Sequence, residues 1–567
     1  MRVNLIGSYQ KNTGVSQDIE ILQGLIVHVF GKDTEIRPVP HFHPQCLPAE
    51  LNIFVETINP ALFVYAAKNV WIPNPEWTYK TWEPYARMVD EVWVKTREAE
   101  KLFQDWNCKT RYIGWTSIDK MVSEKKNFSK ALVPSGKNIW RNPRPIIQVY
   151  MAIHKQNSLL FHHLPELHIV HQPEAIPLPP LPDHMTSKII LHSEVMPQEE
   201  YDALLRECGL CICMSAAEGF GHAVNESMSS GSILMLSPID AFVELAPKNS
   251  LWVSELKHTA HPQCLGNLLD VDLTSMMETL RYYVELSLDQ RRSMSDESRD
   301  LYERRHATFI KRMEEVMSDY KDIPPFNLED RLMKEEDMPP VSIITITRDR
   351  RAFIPLAKYC YLAQVYPDNK VEWVIVDDGK DPIKDLITDL PNVKYILVDE
   401  QLTIGEKRNL GIEHAAHDVL IMMDDDDVYP KHSLLTRVAY MMAEPKKECL
   451  FSTTIPCYDI HGTKSFMNVP PITLPMSQRV SEATLCFTRS FWQEREFPDQ
   501  QIAEGESFIK GREERCRELS PQDVIVSLVH KKNTSSRKPP QMETNGCHYR
   551  FADELFTLVS EIGLSIE

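Results

Sequence analysis

Short runs of apolar residues alternate with helical periods along the whole chain, and the alternation is clearest in the last third. There the pattern predicts strands at 341–347, 371–377, 393–398 and 418–423. Helices are predicted near 352–365 and at 405–416. Strands that alternate with helices are typical of an α/β domain with a largely parallel sheet.

Two further α/β blocks are predicted upstream of this domain. The first has strand-like runs at 2–6, 51–56, 91–94 and 111–113. The second has them at 146–150, 166–170, 187–192, 210–215 and 232–236. Residues 286–320 are charged and lack Gly and Pro, so we expect them to be mostly helical.

Residues 321–340 contain four prolines, dense charge and no apolar period, which is typical of an inter-domain linker. A chain of 567 residues is too long for one ordinary core. We place the boundary between the two upstream blocks near 125–132. The predicted domains are 1–130, 131–320 with a long closing helix, the linker 321–340, and 341–567.

Composition and charge exclude several classes. A hydrophobic content of 43% and a charged content of 25% are globular values. The net charge of −19 argues against a general binder of nucleic acid or anionic membranes, which needs clustered Lys and Arg. A local basic pocket for one phosphate group remains compatible with it.

The cysteines and the N-terminus favour a cytoplasmic protein. The 12 cysteines show no repeated CxxC spacing, which favours reduced, buried thiols over a disulfide framework. The first residues lack the long apolar stretch of a signal peptide, and no run approaches about 18 apolar residues. We therefore interpret the sequons at Asn127, Asn225 and Asn533 as chance matches.

Four consecutive aspartates follow the strand predicted at 418–423. Asp424 and Asp426 lie one residue apart where that strand gives way to a loop, and their hard oxygens suit Mg²⁺ or Mn²⁺ carrying a nucleotide diphosphate. Asp377 and Asp378 end an earlier strand. Because ligands of open α/β sheets bind at the carboxyl ends of strands, both acid clusters are expected to line one crevice.

A second ligand site is predicted in the upstream half, after the strand 210–215. Gly219 and Gly221 allow close approach of a ligand to the backbone, and the helix that follows directs its free N–H groups at a phosphate. Glu218 lies in the loop and Glu226 about a turn and a half into the helix, where both can accept hydrogen bonds from sugar hydroxyls.

Basic residues can complete this second site. Lys137 and Arg141 lie four residues apart at a loop-to-helix junction, and together can clamp a diphosphate. Residues 7–16, Gly-Ser-Tyr-Gln-Lys-Asn-Thr-Gly-Val-Ser, are predicted to be a flexible turn facing the same cleft. The histidines His41 and His43 lie in a Pro-rich loop and are interpreted as surface or structural residues.

The stretch 210–236 resembles the retaining glycosyltransferases of family 4, which carry an E-x7-E motif between two facing Rossmann-like domains, the GT-B fold. The resemblance implies that Glu218 contacts the donor sugar and Glu226 the nucleotide ribose. It also implies that Lys137 and Arg141 stabilise the departing diphosphate without a metal. Further donor-binding residues implied by this resemblance are Gly14, Phe220 and Gly221.

The C-terminal motifs resemble glycosyltransferase family 2, with the GT-A fold, over roughly 340–535. They are Val-Ser-Ile-Ile-Thr-Ile-Thr-Arg-Asp-Arg, Val-Ile-Val-Asp-Asp-Gly, Gly-Glu-Lys-Arg-Asn-Leu-Gly-Ile and Met-Asp-Asp-Asp-Asp, in that order. The expected fold class is therefore α/β: two Rossmann-like domains in the GT-B arrangement, followed by a third α/β domain of the GT-A, nucleotide-diphospho-sugar transferase type.

This second resemblance assigns roles in the C-terminal domain. The implied donor-binding residues are Thr345, Thr347, Asp377, Asp378, Arg408, Asn409, Asp424 and Asp425. Asp424 and Asp426 would hold Mn²⁺ or Mg²⁺, and His530, after an apolar run, resembles the late histidine that completes such metal sites. No metal or other cofactor is expected for the N-terminal half.

The acceptor side carries an unusual acidic motif. Residues 503–512 fall where family 2 enzymes place an acidic base, but the usual Glu-Asp is replaced by Glu-Gly-Glu. The base is therefore ambiguous; we favour Glu506, with Glu504 behind it. A carboxylate there would take the proton of the acceptor hydroxyl and the anomeric centre would invert.

Together these patterns predict a bifunctional glycosyltransferase that uses UDP-, GDP- or dTDP-sugars to extend a glycan acceptor. The N-terminal half would be retaining and metal-independent, and the C-terminal half inverting and metal-dependent. Two alternatives stay open: only one half is active and the other holds acceptor, or the chain is a non-catalytic scaffold that binds carbohydrate or nucleotide.

Overall fold

The protein is described here by a computed structural model. It describes residues 1–11, 13–43, 45–121, 126–172, 176–178, 180–328, 334, 337–533 and 551–566. The chain divides into two compact units. The N-terminal unit comprises Met1–His41, Ala49–Ile58 and Ala67–Pro325. The C-terminal unit comprises Phe42–Pro48, Asn59–Ala66 and Phe326–Glu567.

The first sheet of the N-terminal unit has six strands. They are β1 Arg2–Gly7, β2 Glu35–Pro40, β3 Ala49–Val55, β4 Ala66–Ile72, β5 Glu91–Val94 and β6 Thr110–Tyr112, in the order β2-β1-β3-β4-β5-β6. Its helices are α1 Gly14–Phe30, α2 Glu83–Ala86 and α3 Arg97–Asp105. The four predicted strands of this block are present, whereas β2 and β4 were not predicted.

The turn predicted at 7–16 is shorter than expected. Helix α1 already begins at Gly14, and two reciprocal hydrogen bonds cap it. The Ser16 N–H donates to Thr13 Oγ1 at 3.1 Å, and the Thr13 N–H donates to Ser16 Oγ. This capping box satisfies two donors that the first helical turn leaves open. Gly14 is thus the first residue of a helix and not part of a flexible loop.

The second sheet also has six strands, and all of its pairings are parallel. They are β7 Asn127–Gly136, β8 Glu166–His171, β9 Ile189–His192, β10 Cys208–Cys213, β11 Ile233–Leu236 and β12 Leu251–Trp252, in the order β12-β11-β10-β7-β8-β9. A hairpin of β13 Glu255–Ala260 and β14 Asn267–Val271 follows. Residues 127–132 of the predicted boundary region 125–132 lie inside β7.

The strand predicted at 146–150 is wrong, because these residues lie inside helix α4 Arg144–Gln156. Ile146, Ile147, Val149, Tyr150 and Ile153 are the buried residues of this helix. Ile146, Val149, Tyr150 and Ile153 occupy the i, i+3, i+4 and i+7 positions of one helix face. Pro145 in the first turn is also compatible with a helix start.

The remaining helices of this unit are α5 Ser158–His163, α6 Gln198–Glu207, α7 His222–Ser229, α8 Asp240–Leu245, α9 Leu273–Glu285 and α10 Leu288–Ser318. Helix α10 confirms the helical prediction for 286–320. Its buried Tyr302, Phe309 and Met313 belong to one apolar core with residues of β1 and β10. The long helix therefore packs against a core to which both sheets contribute.

The main sheet of the C-terminal unit has seven strands in the order β17-β16-β15-β18-β22-β19-β23 and lies beside a three-stranded sheet in the order β21-β20-β24. In chain order the strands are β15 Val341–Thr347, β16 Val371–Asp377, β17 Val393–Leu397, β18 Val419–Met422, β19 Cys449–Phe451, β20 Ile455–Asp459, β21 Lys464–Asn468, β22 Cys486–Thr488, β23 Cys516–Glu518 and β24 Ser527–Val529. The helices are α11 Ile354–Leu362, α12 Ile404–His414, α13 Ser433–Ala443, α14 Arg489–Glu494, α15 Glu504–Ile509 and α16 Asp553–Ser565. The predicted strands and helices between 341 and 423 are all present, with bounds shifted by a few residues.

The parallel pairing of β15 with β16 and β18 brings their carboxyl ends to one edge. Helix α12 packs closely on this sheet, because a Cβ at Gly411 would lie 2.7 Å from Ile344 Cγ2. Part of the predicted linker, residues 329–333 and 335–336, lies outside the described residues.

The cysteines in the described parts of the chain agree with the sequence prediction. All 11 are free thiols, and 10 of them are buried. Among the described helices, none combines the length and the apolar character that crossing a membrane requires.

Candidate active sites

The acidic run of the C-terminal unit lies at the carboxyl end of β18. Met423 N–H still bonds to the Ile344 carbonyl at 3.1 Å, so the chain leaves the sheet directly after it. Carboxylate oxygens of Asp424, Asp426 and Asp427 lie within 4.8 Å of one another. This trio includes Asp427, which the sequence analysis did not select.

A guanidinium group faces these carboxylates. Arg350 Nη1 donates to Asp425 Oδ1 at 2.8 Å and to Asp426 Oδ2 at 2.6 Å. Burial opposes the ionisation of Asp426, but Arg350 and His530 outweigh it and lower the pKa of that carboxyl. Arg350 was missed in the sequence, although its place just after the strand bearing Thr345 and Thr347 was a usable signal.

His530 and Thr347 hold the same cluster from other elements. His530 Nε2 lies 3.1 Å from Asp426 Oδ2, and its ring packs on Phe353 with centroids 4.6 Å apart. Thr347 Oγ1 donates to Asp425 Oδ2 at 2.6 Å. His530 therefore lies beside Asp426, and metal ligation by His530 stays a prediction.

Arg408 links the aspartates to the acceptor-side motif. Its Nε donates to Glu504 Oε1 at 2.9 Å, and its Nη1 lies 3.4 Å from Asp424 Oδ1. The Arg408 and Glu504 side chains are 3% and 5% exposed, so the two residues form a buried ion pair. Glu506, by contrast, is half-buried and accepts from Gln478 Nε2 at 2.8 Å.

These groups line an open cavity of about 670 Å³, which is a usual size for a ligand pocket. Its charged lining residues are Arg348, Arg350, Lys407, Arg408, Arg479, Asp424, Asp425, Asp426, Asp427, Glu482, Glu504 and Glu506. Alternating positive and negative groups around one cavity suit a ligand that carries a diphosphate and hydroxyl groups.

Several predicted donor-binding residues do not line this cavity. Asp377 accepts from Tyr395 Oη at 2.6 Å and from the Gly379 N–H at 2.9 Å, while Lys407 Nζ donates to Asp378 at 2.8 Å. Asn409 bonds to the backbone of Phe497 and to Trp492, and Thr345 Oγ1 donates to the Met423 carbonyl. All four side chains are therefore engaged with other residues of the protein, and their contact with a donor stays a prediction.

In the N-terminal unit, two of the predicted catalytic residues bind each other. Arg141 Nη2 donates to Glu218 Oε2 at 2.8 Å, and Arg141 Nε donates to Glu218 Oε1. The Glu218 side chain is 4% exposed. The third predicted residue, Lys137, is exposed in the turn after β7.

Other predicted donor-binding residues lie around helix α7. Glu226 Oε1 accepts from Gln17 Nε2 at 2.7 Å. A Cβ at Gly14 would lie 3.3 Å from His222 Cδ2. Phe220 belongs to the apolar core, and Gly221 has the left-handed φ of 99° that lets α7 begin there. The structure therefore gathers Gly14, Gln17 and Glu226 in one place, with Phe220 serving as packing.

The family comparison matches residues 342–486 to the model of glycosyl transferase family 2. Residues 342–486 form a glycosyltransferase family 2 domain. The matched part contains the acidic run and Glu482 and ends before Glu504 and His530. No family model supports a family 4 assignment for the N-terminal half.

Solved glycosyltransferases are similar over about a third of the chain. A mannosyltransferase from Pyrobaculum calidifontis, in complex with GDP-Man and Mn²⁺, has 18% identity over 35% of this chain and 59% of its own, with a TM-score of 0.28. TarS from S. aureus, residues 1–349, has 16% identity over 34% of this chain and 58% of its own, with a TM-score of 0.25. The chain thus spans less than two thirds of these proteins. No curated protein matches the chain.

The N-terminal unit also buries an acid that the sequence did not single out. Glu76 is 6% exposed, and in the described chain its Oε2 has no hydrogen-bond partner. Burial, together with the nearby Glu218, raises the pKa of Glu76 to about 8. Glu76 therefore keeps its proton at neutral pH in the folded state.

Replacing Glu76 with Gln is expected to flatten the pH dependence of stability of this unit. Between the ordinary value of 4.5 and about 8, the unfolded chain releases a proton that the folded chain keeps. The free energy of unfolding of the wild type therefore falls as pH rises through this window, by a few kcal/mol (order of magnitude, from about 1.4 per pKa unit). Urea unfolding at several pH values from 5 to 8.5 measures the slope.

The variant Glu20→Gln removes an exposed carboxylate from the same unit and serves as the reference. If Glu76→Gln and Glu20→Gln show the same pH dependence as the wild type, Glu76 is ionised in the folded protein and the interpretation is wrong.

Proposed function

We propose that the C-terminal unit transfers a sugar from a nucleotide-sugar donor to a hydroxyl group of a glycan acceptor. The observation that supports it best is the cavity in which Arg350, Arg408 and the run Asp424–Asp427 meet at the carboxyl end of β18. The family 2 assignment of 342–486 supports the same function.

The donor set suits a hard divalent cation. The carboxylates of Asp424, Asp426 and Asp427 offer hard oxygen ligands within 4.8 Å, and Mn²⁺ and Mg²⁺ prefer such ligands. Asp424 and Asp426 would hold the ion, with His530 beside Asp426. When bound, the ion supplies positive charge that stabilises the leaving diphosphate.

The cationic side chains of the cavity have a role independent of the ion. Arg350 and Arg408 are both held in place by carboxylates, so their guanidinium planes are oriented before a donor arrives. Arginine forks match the geometry of phosphate oxygens. We propose that they orient the diphosphate and that Thr347, through Asp425, keeps the acidic loop in place.

Transfer with inversion requires a carboxylate on the acceptor side. The acceptor oxygen attacks the anomeric carbon as the bond to the diphosphate oxygen breaks, and the carboxylate takes the hydroxyl proton. Glu504 and Glu506, the residues favoured by the sequence, both line the cavity.

We also propose that the N-terminal unit has the GT-B arrangement and adds a second sugar with retention and without a metal. Its two six-stranded sheets and the Glu218 to Glu226 motif at α7 support this proposal. In the alternative, this unit only holds acceptor.

Separate variants distinguish these possibilities. If the chain is bifunctional, Glu226→Gln and Asp426→Asn each abolish a different sugar addition. If only the C-terminal unit is catalytic, Glu226→Gln leaves the number of sugars added unchanged. Mass spectrometry of the acceptor products measures both. We further propose a cytoplasmic location, since the described thiols are free.

Thermal unfolding with a panel of UDP-, GDP- and dTDP-sugars tests the proposed function of the C-terminal unit. One donor is expected to raise the melting temperature by several degrees with Mn²⁺ present and not with EDTA, since a ligand at 100 times its Kd adds about 2.7 kcal/mol. A panel in which no donor shifts the transition, or in which EDTA has no effect, contradicts the proposal.

A further inference from the structure

Glu482 is a cavity-lining carboxylate that neither the sequence analysis nor the family motifs selected. It lies in the segment between β21 and β22 and is half-buried. The Gly505 N–H donates to its Oε1 at 3.2 Å. Glu482 is thus fixed against the first turn of α15, on the wall of the cavity formed by Glu504 and Glu506.

Gly505 explains how this carboxylate fits. A Cβ at position 505 would lie 2.8 Å from Glu482 Oε1 and 2.9 Å from its Cγ, closer than side-chain carbons approach such atoms. Any side chain at 505 would therefore displace Glu482. The carboxylate of Glu482 therefore occupies the space next to the backbone of residue 505 that a side chain there would need.

The two neighbouring carboxylates are already engaged by other side chains. Glu504 is 4% exposed and accepts from the Arg408 guanidinium at 2.9 Å. Glu506, two residues after Glu504 on α15, accepts from Gln478 Nε2 at 2.8 Å. Within the described chain, Glu482 has no ion-pair partner.

The electrostatic surroundings of Glu482 favour proton uptake. Burial and the nearby Glu504 raise the pKa of Glu482 well above the ordinary value of a glutamate, against the smaller opposing effects of backbone N–H groups and Arg408. A general base is most effective when its pKa is near the working pH. Glu482 is therefore more basic than a solvated carboxylate and is also held in position.

We propose that Glu482 is the general base of the C-terminal transferase, with Gly505 providing the space for its carboxylate. This inference rests on the proposed sugar transfer. Glu482 takes the proton of the acceptor hydroxyl while the acceptor oxygen forms its bond to the anomeric carbon. The bond between that carbon and the diphosphate oxygen breaks, and its electron pair leaves with the nucleoside diphosphate. Solvent then removes the proton from Glu482.

The variant Glu482→Gln tests the assignment. Gln keeps the size of the side chain and the acceptor for the Gly505 N–H but cannot take a proton. Its turnover number for sugar transfer is expected to fall about 100- to 10,000-fold, the usual contribution of a general base. The thermal shift given by nucleotide with Mn²⁺ should be retained, which shows that the cavity still folds and binds donor.

The matched control is Glu496→Gln, which removes an exposed carboxylate of the same unit that does not line the cavity. Its turnover number is expected to stay within about twofold of the wild type, far above that of a base variant. Glu506→Gln is compared as the variant of the residue that the sequence favoured. The proposal is overturned if the results are reversed. In that case Glu506→Gln loses sugar transfer about 100- to 10,000-fold, Glu482→Gln keeps sugar transfer, and the base is Glu506.

Moving the carboxylate gives a second test that does not depend on loss of activity. In the double variant Glu482→Ala/Gly505→Asp, the space vacated at 482 accepts an aspartate at 505. Its turnover is expected to exceed that of Glu482→Ala at least tenfold. Equal turnover of the double variant and Glu482→Ala, with donor binding intact in both, contradicts the proposal.

Failure of the base assignment can be told apart from failure of the proposed function. A wild type that transfers sugar, with a Glu482→Gln variant that transfers it nearly as fast, overturns only the assignment of Glu482. A wild type that neither binds nor consumes any nucleotide-sugar overturns both.

Discussion

Replacing Asp426 with Asn is expected to lower sugar transfer by the C-terminal unit on the order of a thousandfold. Asp426 accepts from Arg350 at 2.6 Å and lies 3.1 Å from His530, and its oxygens belong to the acidic trio at the end of β18. The amide removes one negative charge and one oxygen ligand at the place where the diphosphate would leave. Initial rates with a saturating donor measure the loss.

Binding provides a second readout for Asp426→Asn. The Mn²⁺-dependent thermal shift produced by nucleotide should be reduced or lost, whereas Glu482→Gln should keep it. The two variants therefore separate ion and diphosphate binding from proton transfer.

Asp389→Asn is the matched control for this prediction. Asp389 is an exposed aspartate of the same unit, paired with Lys358 at 2.7 Å and outside the cavity lining. Its replacement changes the net charge equally and should leave the transfer rate within about twofold, since surface pairs contribute little. Transfer by Asp426→Asn at the rate of Asp389→Asn would show that the acidic run is not part of the active site.

Much of the C-terminal fold follows from local pattern. The strands β15, β16 and β18 are buried runs that end in polar residues, and their order along the chain already places Thr347 and Asp424 at one edge of a parallel sheet. The prediction at 146–150 failed for a related reason: a short apolar run such as Ile146 to Tyr150 has the same appearance in a strand and on a helix face.

The parts of the sites that were missed are contacts between distant positions. Arg350 meets Asp426 across 76 residues, and Gly505 meets Glu482 across 23. Neither contact leaves a periodic signal, because each depends on one side chain projecting from a loop. In the same way, the isolated residues Asp18 and Lys95, 77 apart, gave no sign that they would be buried together.

Replacing Lys95 with Met is expected to destabilise the N-terminal unit by about 3–5 kcal/mol, because it leaves a buried carboxylate without its cation. Lys95 and Asp18 form an ion pair in which both side chains are 1% exposed. Asp18 also accepts from Trp115 Nε1 and lies 2.8 Å from His222 Nε2. These two contacts satisfy hydrogen bonds but do not replace the charge of Lys95.

The loss should depend on pH in a defined direction. Burial opposes the ionisation of Asp18, but Lys95 and His222 outweigh it and lower its pKa in the wild type. The stabilising contribution of this pair is therefore present above the ordinary aspartate value and is lost as pH falls through the lowered value. Without Lys95, Asp18 can take up a proton at mildly acidic pH, so the destabilisation by Lys95→Met should be smaller at pH 5 than at pH 8.

Urea unfolding of the N-terminal unit, followed by tryptophan fluorescence, measures the free energy of unfolding for a set of variants. Lys68→Met is the matched control, since it breaks the more exposed pair with Asp90 and should cost no more than about 1 kcal/mol. Asp18→Asn combined with Lys95→Met should recover part of the loss by removing the unpaired charge. Equal effects of Lys95→Met and Lys68→Met would mean that Asp18 does not need Lys95, and that its contacts with Trp115 and His222 are sufficient.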